Sequence, residues 1–310
     1  MMNIFITGAT GYIGSRVARI LRGAGHAVWG MTRNPEKANI LAQYEINPVI
    51  ADMNNPASYL PVAKKCQVLI HTAKDPEHDT AELDKKTVQT LITASGIDDD
   101  KKMLIYTSGV WVYGNTQGKI VDEKSQQKPI SMVSWRPQVE AMVLQSQDID
   151  GIVLRPGCVY GKEGGMTGFW FQGAAPDNDF QVVGDGSNHW AMVHVDDLAK
   201  AYLAAVERNP RGEIFNITDG ERPTVKEMVQ NVARANGYQG DINFSSLKEA
   251  KKEMGDFAEA LAIDQIVDNR KAHRLLHWTP QHKGFIDQIA FYSMAWKAFH
   301  RVEEKTLMTY

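Results

Sequence analysis

Three glycines near the start of the chain have the spacing of a phosphate-binding loop. The apolar run NIFITG, residues 3–8, ends at Gly8, and Gly11 and Gly14 follow before an amphipathic stretch. The first glycine of such a loop permits a tight turn, the second lets the backbone approach a pyrophosphate, and the third lets the next helix pack closely on the sheet. The free N–H groups at the start of that helix attract phosphate. The sequence therefore predicts a dinucleotide site at this loop.

Two basic residues after the second predicted strand indicate which dinucleotide binds. An NAD site usually places an acidic residue at the end of this strand, where it accepts a hydrogen bond from the ribose 2′-hydroxyl. Here Thr32 takes that position and Arg33 follows. An arginine can bind a 2′-phosphate with its planar fork, and Lys37 can assist. We therefore expect NADP(H) rather than NAD(H); the alternative is that Arg33 is a solvated surface residue near a turn.

Alternating strand and helix patterns in the first half predict the fold that carries this loop. The strand candidates are residues 3–8, 26–33, 46–53, 66–73, 102–109 and 151–157, and the helix candidates lie near 11–24, 35–45, 56–64, 80–95 and 134–147. Strands separated by helices favour right-handed βαβ units, and continuous apolar runs suit strands buried on both faces. We expect an α/β protein with a doubly wound parallel sheet.

Composition and charge exclude several classes of function. The chain has 310 residues, a formal net charge of -3 and two cysteines, Cys66 and Cys158. No basic patch suggests nucleic acid, no polybasic or long apolar stretch suggests a membrane, and no disulfide framework is present. The segment MMNIFITGAT leads directly into a strand, so we expect a cytoplasmic protein. No HExxH, paired CxxC or G-x-S-x-G motif occurs, which gives no support to a metal site or a serine triad.

Six motifs spread over most of the chain carry a family resemblance. They are TGATGYIG (7–14), IHTA (70–73), YTSGVWVYG (106–114), LRPGCVYG (154–161), VVGDGSNHWAMVHVDDLAKAYLAA (182–205) and GEIFNITDG (212–220). The sequence resembles the extended short-chain dehydrogenase/reductases, also called the NAD-dependent epimerase/dehydratase family. The resemblance implies a Rossmann sheet with a smaller C-terminal α/β substrate cap, a small-molecule substrate in the cleft between them, and it allows a homodimer.

The resemblance also implies a division of the chain and a set of cofactor contacts. The NADP-binding Rossmann domain would span 1–160, with part of 190–220 returning to it, and residues 161–310 would mainly form the cap. Asp52, after the third strand, would accept a hydrogen bond from the adenine amine. The alternative is that Asp52 is a turn residue, since Asp is common at strand ends. The expected cofactor-binding residues are Gly8, Thr10, Gly11, Tyr12, Ile13, Gly14, Arg33, Lys37, Asp52, Met53, Thr72, Ala73, Thr107, Arg136 and Pro156.

The chain departs from the family where the family's catalytic residues would lie. A Tyr-x-x-x-Lys pair normally opens the helix after the fifth strand; the Tyr transfers a proton, and the Lys holds the nicotinamide ribose and lowers the Tyr pKa. Aligned on Glu140, the Lys position holds Arg136 and the Tyr position holds Met132. An alternative alignment, with Arg136 at the Tyr position and Glu140 at the Lys position, also lacks both catalytic residues. The hydroxyl that normally follows the fifth strand is replaced by Gly109.

These losses leave Ser108, Tyr113 and Arg136 as the catalytic candidates. Arg136 can donate hydrogen bonds to ribose hydroxyls, but its guanidinium stays protonated. The alternative to a role in the site is that Arg136 forms an i,i+4 pair with Glu140 on a solvated helix face. The alternative for Thr107 and Ser108 is a strand-end hydrogen bond to nearby backbone, and in the family the tyrosine at the position of Tyr113 is mostly structural. Further candidates to carry a proton are Tyr160, His194 and Cys158.

Aromatic residues replace basic ones in the segments that would hold the substrate. Family members that bind nucleotide-sugars often carry basic residues there, whereas this chain has the aromatic stretch GFWFQG, 168–173, and NHW, 188–190. An apolar or uncharged substrate is favoured; the alternative is that Phe169, Trp170, Phe171, His189 and Trp190 form a core between domain and cap.

Two functions fit the sequence. The first is an NADP(H)-dependent oxidoreductase or epimerase-like enzyme acting on a small carbonyl or hydroxyl compound through a non-standard site. The second is a non-catalytic NADP(H)-binding regulatory or redox-sensing protein. Fold alone does not separate them, because function depends on the site.

Overall fold

The structure is a computed structural model that describes residues 1–75, 79–95, 101–175, 178–282 and 284–307, with side chains up to residue 300. The strands in these ranges are β1 (Asn3–Thr7), β2 (Ala27–Thr32), β3 (Asn47–Ile50), β4 (Val68–His71), β5 (Lys102–Thr107), β6 (Ile120–Val121), β7 (Ile149–Pro156), β8 (Cys158–Gly161), β9 (Gly164–Gly165), β10 (Phe180–Val183), β11 (Met192–His194), β12 (Glu213–Ile217), β13 (Ile242–Ser245) and β14 (Ile266–Val267). The helices are α1 (Tyr12–Gly23), α2 (Pro35–Gln43), α3 (Leu60–Ala63), α4 (Thr80–Thr93), α5 (Arg136–Gln145), α6 (Thr167–Gly173), α7 (Val195–Arg208), α8 (Val225–Asn236), α9 (Leu247–Met254), α10 (Phe257–Ala262), α11 (Arg270–Leu276) and α12 (Ile289–Leu307).

A seven-stranded parallel sheet forms the centre of the molecule. Its strand order is β12-β7-β5-β4-β1-β2-β3, so the order reverses between β1 and β4. In open α/β sheets, ligands bind in the crevice outside the carboxyl ends of the strands at such a reversal. The predicted doubly wound α/β fold is confirmed, and the phosphate loop follows β1 at the reversal.

Both faces of the sheet are buried, as the continuous apolar runs predict. All eight residues of β7 are buried. Ile4 and Ile6 of β1 pack in one cluster with α1 and α7, while Phe5 packs in another beneath α4 and α5. Burial on two faces leaves the strand ends and their loops as the parts free to bind a ligand.

The later part of the chain contributes to the sheet and also forms a second packed unit. β12 joins the sheet beside β7 in parallel register. The second unit has its own aromatic core, which includes Trp170, Trp190 and Phe285. Its helix α8 has a capping box formed by Thr224 and Glu227 and ends in a left-handed glycine. The domain boundary at residue 160 stays a prediction.

The helix that carries Arg136 begins later than its sequence indicates. In place of one helix predicted near 134–147, the structure has a 3-10 turn, Ser131–Val133, followed by α5 from Arg136. Ser134 has helical angles (φ -60, ψ -24) instead of the extended ones of an N-cap residue, so its side chain caps nothing. Pro137 does lie in the first turn, where its missing N–H is harmless.

The carboxylate of Asp84 on α4 joins three of the elements that surround the site. It accepts hydrogen bonds from His71 Nε2 at the end of β4 (2.8 Å), the Tyr106 hydroxyl in β5 (2.6 Å) and Trp135 Nε1 immediately before α5 (2.9 Å). Burial raises the pKa of Asp84, but the hydrogen bond and charge of His71, with the bonds from Tyr106 and Trp135, outweigh burial and leave this pKa below its ordinary value. The ionised carboxylate is thus the form that the fold stabilises.

None of the helices in the described ranges is both long enough and apolar enough to cross a membrane.

Replacing Asp84 by Asn should lower the free energy of unfolding by about 3 kcal/mol, because it removes the charge that three buried donors share. Urea unfolding would measure the loss, with the exposed Asp148→Asn as control. Since the folded pKa of Asp84 is depressed, its contribution is present above the unfolded value of about 4 and is lost as pH falls through the folded value. The wild type should therefore lose more stability on acidification below about pH 4 than the variant. Equal acid sensitivity of the two proteins would refute this role.

Candidate functional site

A cavity of about 200 Å³ lies over the phosphate loop and the ends of β2 and β4. Eight of the predicted cofactor residues line it, namely Gly8, Thr10, Gly11, Arg33, Lys37, Met53, Thr72 and Ala73. The sequence reasoning did not single out Met31, Lys74 or Asp75, which line it as well. Lys74 and Asp75 follow β4 closely, so the rule that ligands bind at the carboxyl ends of parallel strands would have found them.

The glycines of the loop form a cradle that side chains would fill. Gly8 has a φ of +70°, and a Cβ on it would lie 2.7 Å from the Cα of Ala73. A Cβ on Gly14 would lie 2.2 Å from the carbonyl oxygen of Gly8. Gly11 is the N-cap of α1 and no side chain caps that helix, which leaves its first N–H groups to an anion. These residues fit the pyrophosphate of a dinucleotide.

Arg33 forms an ion pair on the wall of this cavity. Its Nη1 lies 2.7 Å from Oδ2 of Asp75, whose side chain is buried. Thr32 is buried at the end of β2, where an NAD site would present a carboxylate, and accepts a hydrogen bond from the Thr10 hydroxyl at 3.3 Å. The Asp75 carboxylate reaches the cavity from β4, and Arg33 compensates its charge. Arg33 is therefore held in place at the rim.

Tyr12, Ile13 and Asp52, which are also predicted to contact the cofactor, do not line the cavity. The Tyr12 hydroxyl donates to the carbonyl of Gly161 at 2.7 Å, which ties α1 to the second unit. Ile13, in the first turn of α1, packs against the hydrophobic core. Asp52 forms a turn in which its Oδ1 accepts from the backbone N–H of Asn54 at 2.8 Å. A contact of Asp52 with adenine stays a prediction.

Thr107 and Ser108 at the end of β5 have different environments. The Thr107 hydroxyl donates to the carbonyl of His71 at 2.6 Å and also pairs with the hydroxyl of Tyr202 on α7. Ser108 is buried, and its hydroxyl has no hydrogen-bond partner within the described part of the chain. Thr107 therefore fixes β5 to its neighbours, while the Ser108 hydroxyl stays available.

Arg136 packs against Gly109, the position that carries a catalytic hydroxyl in the family that the sequence resembles. A Cβ on Gly109 would lie 2.7 Å from Nη1 of Arg136 and 3.7 Å from the carbonyl oxygen of Pro156 at the end of β7. Arg136 makes no hydrogen bond or ion pair with the residues that the structure describes. Burial and the Arg136 charge lower the pKa of Lys74. The end of β5 thus carries a half-buried, uncompensated cation.

The expected alternative for Arg136, a pair with Glu140, is wrong. Glu140 is buried and forms a two-pronged pair with the buried Arg155 of β7, with Nε to Oε1 at 2.9 Å and Nη2 to Oε2 at 2.5 Å. Gln127 Nε2 also donates to Glu140 at 2.8 Å. Position 140 faces the sheet rather than solvent, because β7 presents a cation that must be neutralised.

Tyr113 belongs to the same buried network, which argues against a catalytic role. Its hydroxyl accepts from Arg155 Nη1 at 2.7 Å and donates to Asn216 Oδ1 at 2.8 Å. Burial raises the pKa of Tyr113 to about 12, although the charge and hydrogen bond of Arg155 act in the opposite direction. We therefore correct the expectation for Tyr113 and assign it a structural role between β7 and β12.

The other proton-carrier candidates are held in forms that do not exchange protons near neutral pH. Burial raises the pKa of Cys158 to about 12 and raises that of Tyr160 still further. Burial and the charge of His282 lower the pKa of His194 to about 4. His194 is the N-cap of α7, and its Nδ1 accepts from the backbone N–H of Asp196.

His194, Asp196 and His282 are residue types that bind metals, and their ligand atoms lie within 4.8 Å of one another. Asp196 already pairs with Lys162 at 3.1 Å, and the two imidazole rings stack at 3.6 Å. His282 also contacts the Asp197 carboxylate through Nδ1 at 3.0 Å. These contacts give the group a structural role between α7 and the segment that precedes α12.

Met132, which the sequence aligned on Glu140 is expected to place at the family's Tyr position, contributes to an apolar wall. It packs in a cluster with Trp111 and Phe257. Of the aromatic residues predicted for the cleft, Phe171 is buried against Phe285, and His189 bonds to Asp264 at 2.7 Å. Phe169, Trp170 and Trp190 line a cavity in the second unit. Trp170, Phe171 and Trp190 also belong to the aromatic core of the second unit, and a substrate contact of these residues stays a prediction.

The chain is similar to several known proteins over most of its length. It is 26% identical over 297 residues to an uncharacterized protein of Schizosaccharomyces pombe, which covers 93% of this chain and 98% of that protein. It is 24% identical over 242 residues to the decarboxylating sterol-4-alpha-carboxylate 3-dehydrogenase of Dictyostelium discoideum, covering 71% of this chain and 72% of that one. The crystal structure of UDP-glucose 4-epimerase from Thermotoga maritima with UDP-glucose has the same fold, with a TM-score of 0.81 at 21% identity over 96% of this chain and 99% of that one.

A family model identifies the chain independently of its individual relatives. Residues 4–218 match the model described as the NAD dependent epimerase/dehydratase family. The match includes the phosphate loop, β5, β12 and α5, which begins at Arg136. The chain therefore belongs to the NAD-dependent epimerase/dehydratase family.

Proposed function

We propose that the chain is an NADP(H)-dependent oxidoreductase or epimerase-like enzyme that acts on a small carbonyl or hydroxyl compound, with Arg136 in place of the family's Tyr–Lys pair. The observation that carries the proposal is the Arg136 guanidinium, which packs against Gly109 without a partner among the described residues. A half-buried cation without a counter-charge is costly unless a ligand supplies one.

The cofactor part of the proposal rests on the cavity over the phosphate loop. The glycine cradle and the first turn of α1 would hold the pyrophosphate. Arg33 and Lys37 on the cavity wall would bind the 2′-phosphate, and no carboxylate stands at the end of β2 to repel it. The nicotinamide, when bound, would supply or remove a hydride.

Arg136 would act on the substrate by charge rather than by proton transfer. Its N–H groups can donate to a substrate oxygen and to ribose hydroxyls, and its positive charge stabilises negative charge that develops on that oxygen. Because a guanidinium stays protonated, the proton gained or lost by the oxygen would be exchanged with water. Ser108 precedes Gly109 in the sequence, and its buried hydroxyl has no partner in the described part of the chain. This hydroxyl would add a hydrogen bond to the substrate oxygen.

NADPH should bind at least about tenfold more tightly than NADH, because charge-assisted hydrogen bonds to a phosphate contribute about 1.5–3 kcal/mol. Fluorescence titration of both cofactors would measure the ratio. Arg33→Ala should remove most of the preference, and Asp75→Asn should increase it by removing the carboxylate that competes for Arg33. Arg22→Ala is the matched control, since Arg22 also pairs with a carboxylate, that of Glu45, on the surface. Equal affinities in the wild type would contradict the proposal.

Arg136→Met and Gly109→Ser should each reduce turnover by about 10²–10³-fold, as the removal of one preorganised donor does. The serine would displace the flexible end of Arg136 rather than the backbone, so thermal unfolding should stay unchanged. Turnover would be followed by NADPH oxidation with a panel of neutral ketones and aldehydes, and the exposed Arg222→Met is the control. Full activity in Arg136→Met would exclude the proposed role.

The second candidate function is a non-catalytic NADP(H)-binding regulator. The observation in its favour is that Tyr113, Tyr160 and Cys158 all have raised pKa values. Tight NADPH binding without turnover of any compound in the panel would favour this candidate over the enzyme.

A further inference from the structure

A cavity of about 640 Å³ lies in the second unit, away from the phosphate loop. It is formed by α6, β10, α9 and the ends of β13 and α10. Binding sites for drug-sized ligands have volumes of about 300–1,000 Å³. The cavity is thus large enough for a ligand with several fused rings. We call it the cap cavity.

Aromatic side chains form the base and the mouth of the cap cavity. Trp170 and Trp190 are buried and stack with ring centroids 4.6 Å apart. Phe169 is 55% exposed, and its ring lies 6.0 Å from that of Phe257. Exposed large aromatic side chains beside a cavity are typical of binding surfaces for apolar ligands.

The charged residues that line the cap cavity are all acidic. Asp179, Glu249 and Glu253 lie on its wall, and the described lining includes no lysine or arginine. Glu249 is kept ionised by the capping box of α9, in which Ser246 donates to its carboxylate and lowers its pKa. Lys251 of the same helix is paired with Glu259 at 3.6 Å and does not line the cavity. A phosphate group would therefore meet only like charge here.

The cap cavity shares two wall residues with a small neighbouring cavity. Met166 and Trp190 line both the cap cavity and a small cavity that also contacts Trp111. Trp111 belongs to the 3-10 turn that begins directly after Gly109. Through Trp111, the wall of the cap cavity thus reaches the segment that follows Gly109.

We propose that the cap cavity binds the ring part of the substrate, and that this part is an aromatic or alicyclic ring system without negative charge. The inference rests on the proposed function, because it names the substrate class of that enzyme. Stacked tryptophans bind such rings through their faces, and the carboxylates favour neutral or cationic groups. The same charges select against the diphosphate of a nucleotide-sugar.

Three probes of similar shape would test the selectivity of the cap cavity: 2-naphthol, N-methylquinolinium and naphthalene-2-sulfonate. Calorimetric titration without cofactor should show that the neutral and the cationic probe bind at least about tenfold more tightly than the sulfonate, since like charges at the wall repel the anion. Uridine diphosphate should bind more weakly than 2-naphthol. Tighter binding of the sulfonate or of uridine diphosphate would overturn the proposal.

Two pairs of variants locate the bound probe. Phe169→Ala should weaken the binding of 2-naphthol several-fold. Phe291 is 66% exposed and lies outside the cavity, so Phe291→Ala should leave this affinity unchanged. Glu253→Lys should shift the preference toward the sulfonate, and the exposed Glu207→Lys on α7 should not. Equal effects within either pair would overturn the assignment to the cap cavity. These titrations do not depend on NADPH, so their failure and the failure of cofactor binding are separate results.

Discussion

The buried carboxylate of Asp84 is the constraint on which the geometry of the site depends. It fixes the end of β4 through His71, the end of β5 through Tyr106, and the start of α5 through Trp135. His71 also bonds through Nδ1 to the Thr7 hydroxyl at 2.6 Å, so the same network reaches the residue before the phosphate loop. Trp135 is the residue directly before α5, so its bond to Asp84 holds the chain next to Arg136.

Gly109 and Arg136 are best understood as one structural change rather than two separate losses. A side chain at position 109 would meet Nη1 at 2.7 Å, so this guanidinium position and a hydroxyl-bearing residue there exclude each other. Gly109 has a φ of 175°, an extended conformation that any residue adopts, so the backbone does not require glycine. Glycine leaves room for this position of the guanidinium, whose flexible end a larger side chain would displace. In the proposed function, a fixed positive charge would take the place of groups that transfer a proton.

The sequence predicts the parts of this molecule that depend on local pattern, and it fails where a distant partner decides. Continuous apolar runs and the glycine spacing predict the parallel sheet and the loop, because both signals are carried within a few residues. The partner of Glu140 could not be predicted from α5, since it is Arg155 on β7, and the same cation holds the hydroxyl of Tyr113. Helical spacing favours Arg136 as the partner, but the cost of leaving Arg155 uncompensated in the core decides otherwise.

Charge is distributed unevenly between the two ends of the proposed substrate path. Arg136, with Lys74 near enough to have its pKa lowered, places positive charge at the end of β5. The cap cavity places three carboxylates at the opposite end, and Met132, Trp111 and Phe257 supply apolar surface beside the path. If the cap cavity binds the ring part of the substrate as proposed, a ligand with an electron-rich oxygen at one end and an uncharged ring at the other would be favoured in one orientation. That orientation would direct the oxygen to the guanidinium, so binding selectivity in the cap and activation at Arg136 would reinforce each other.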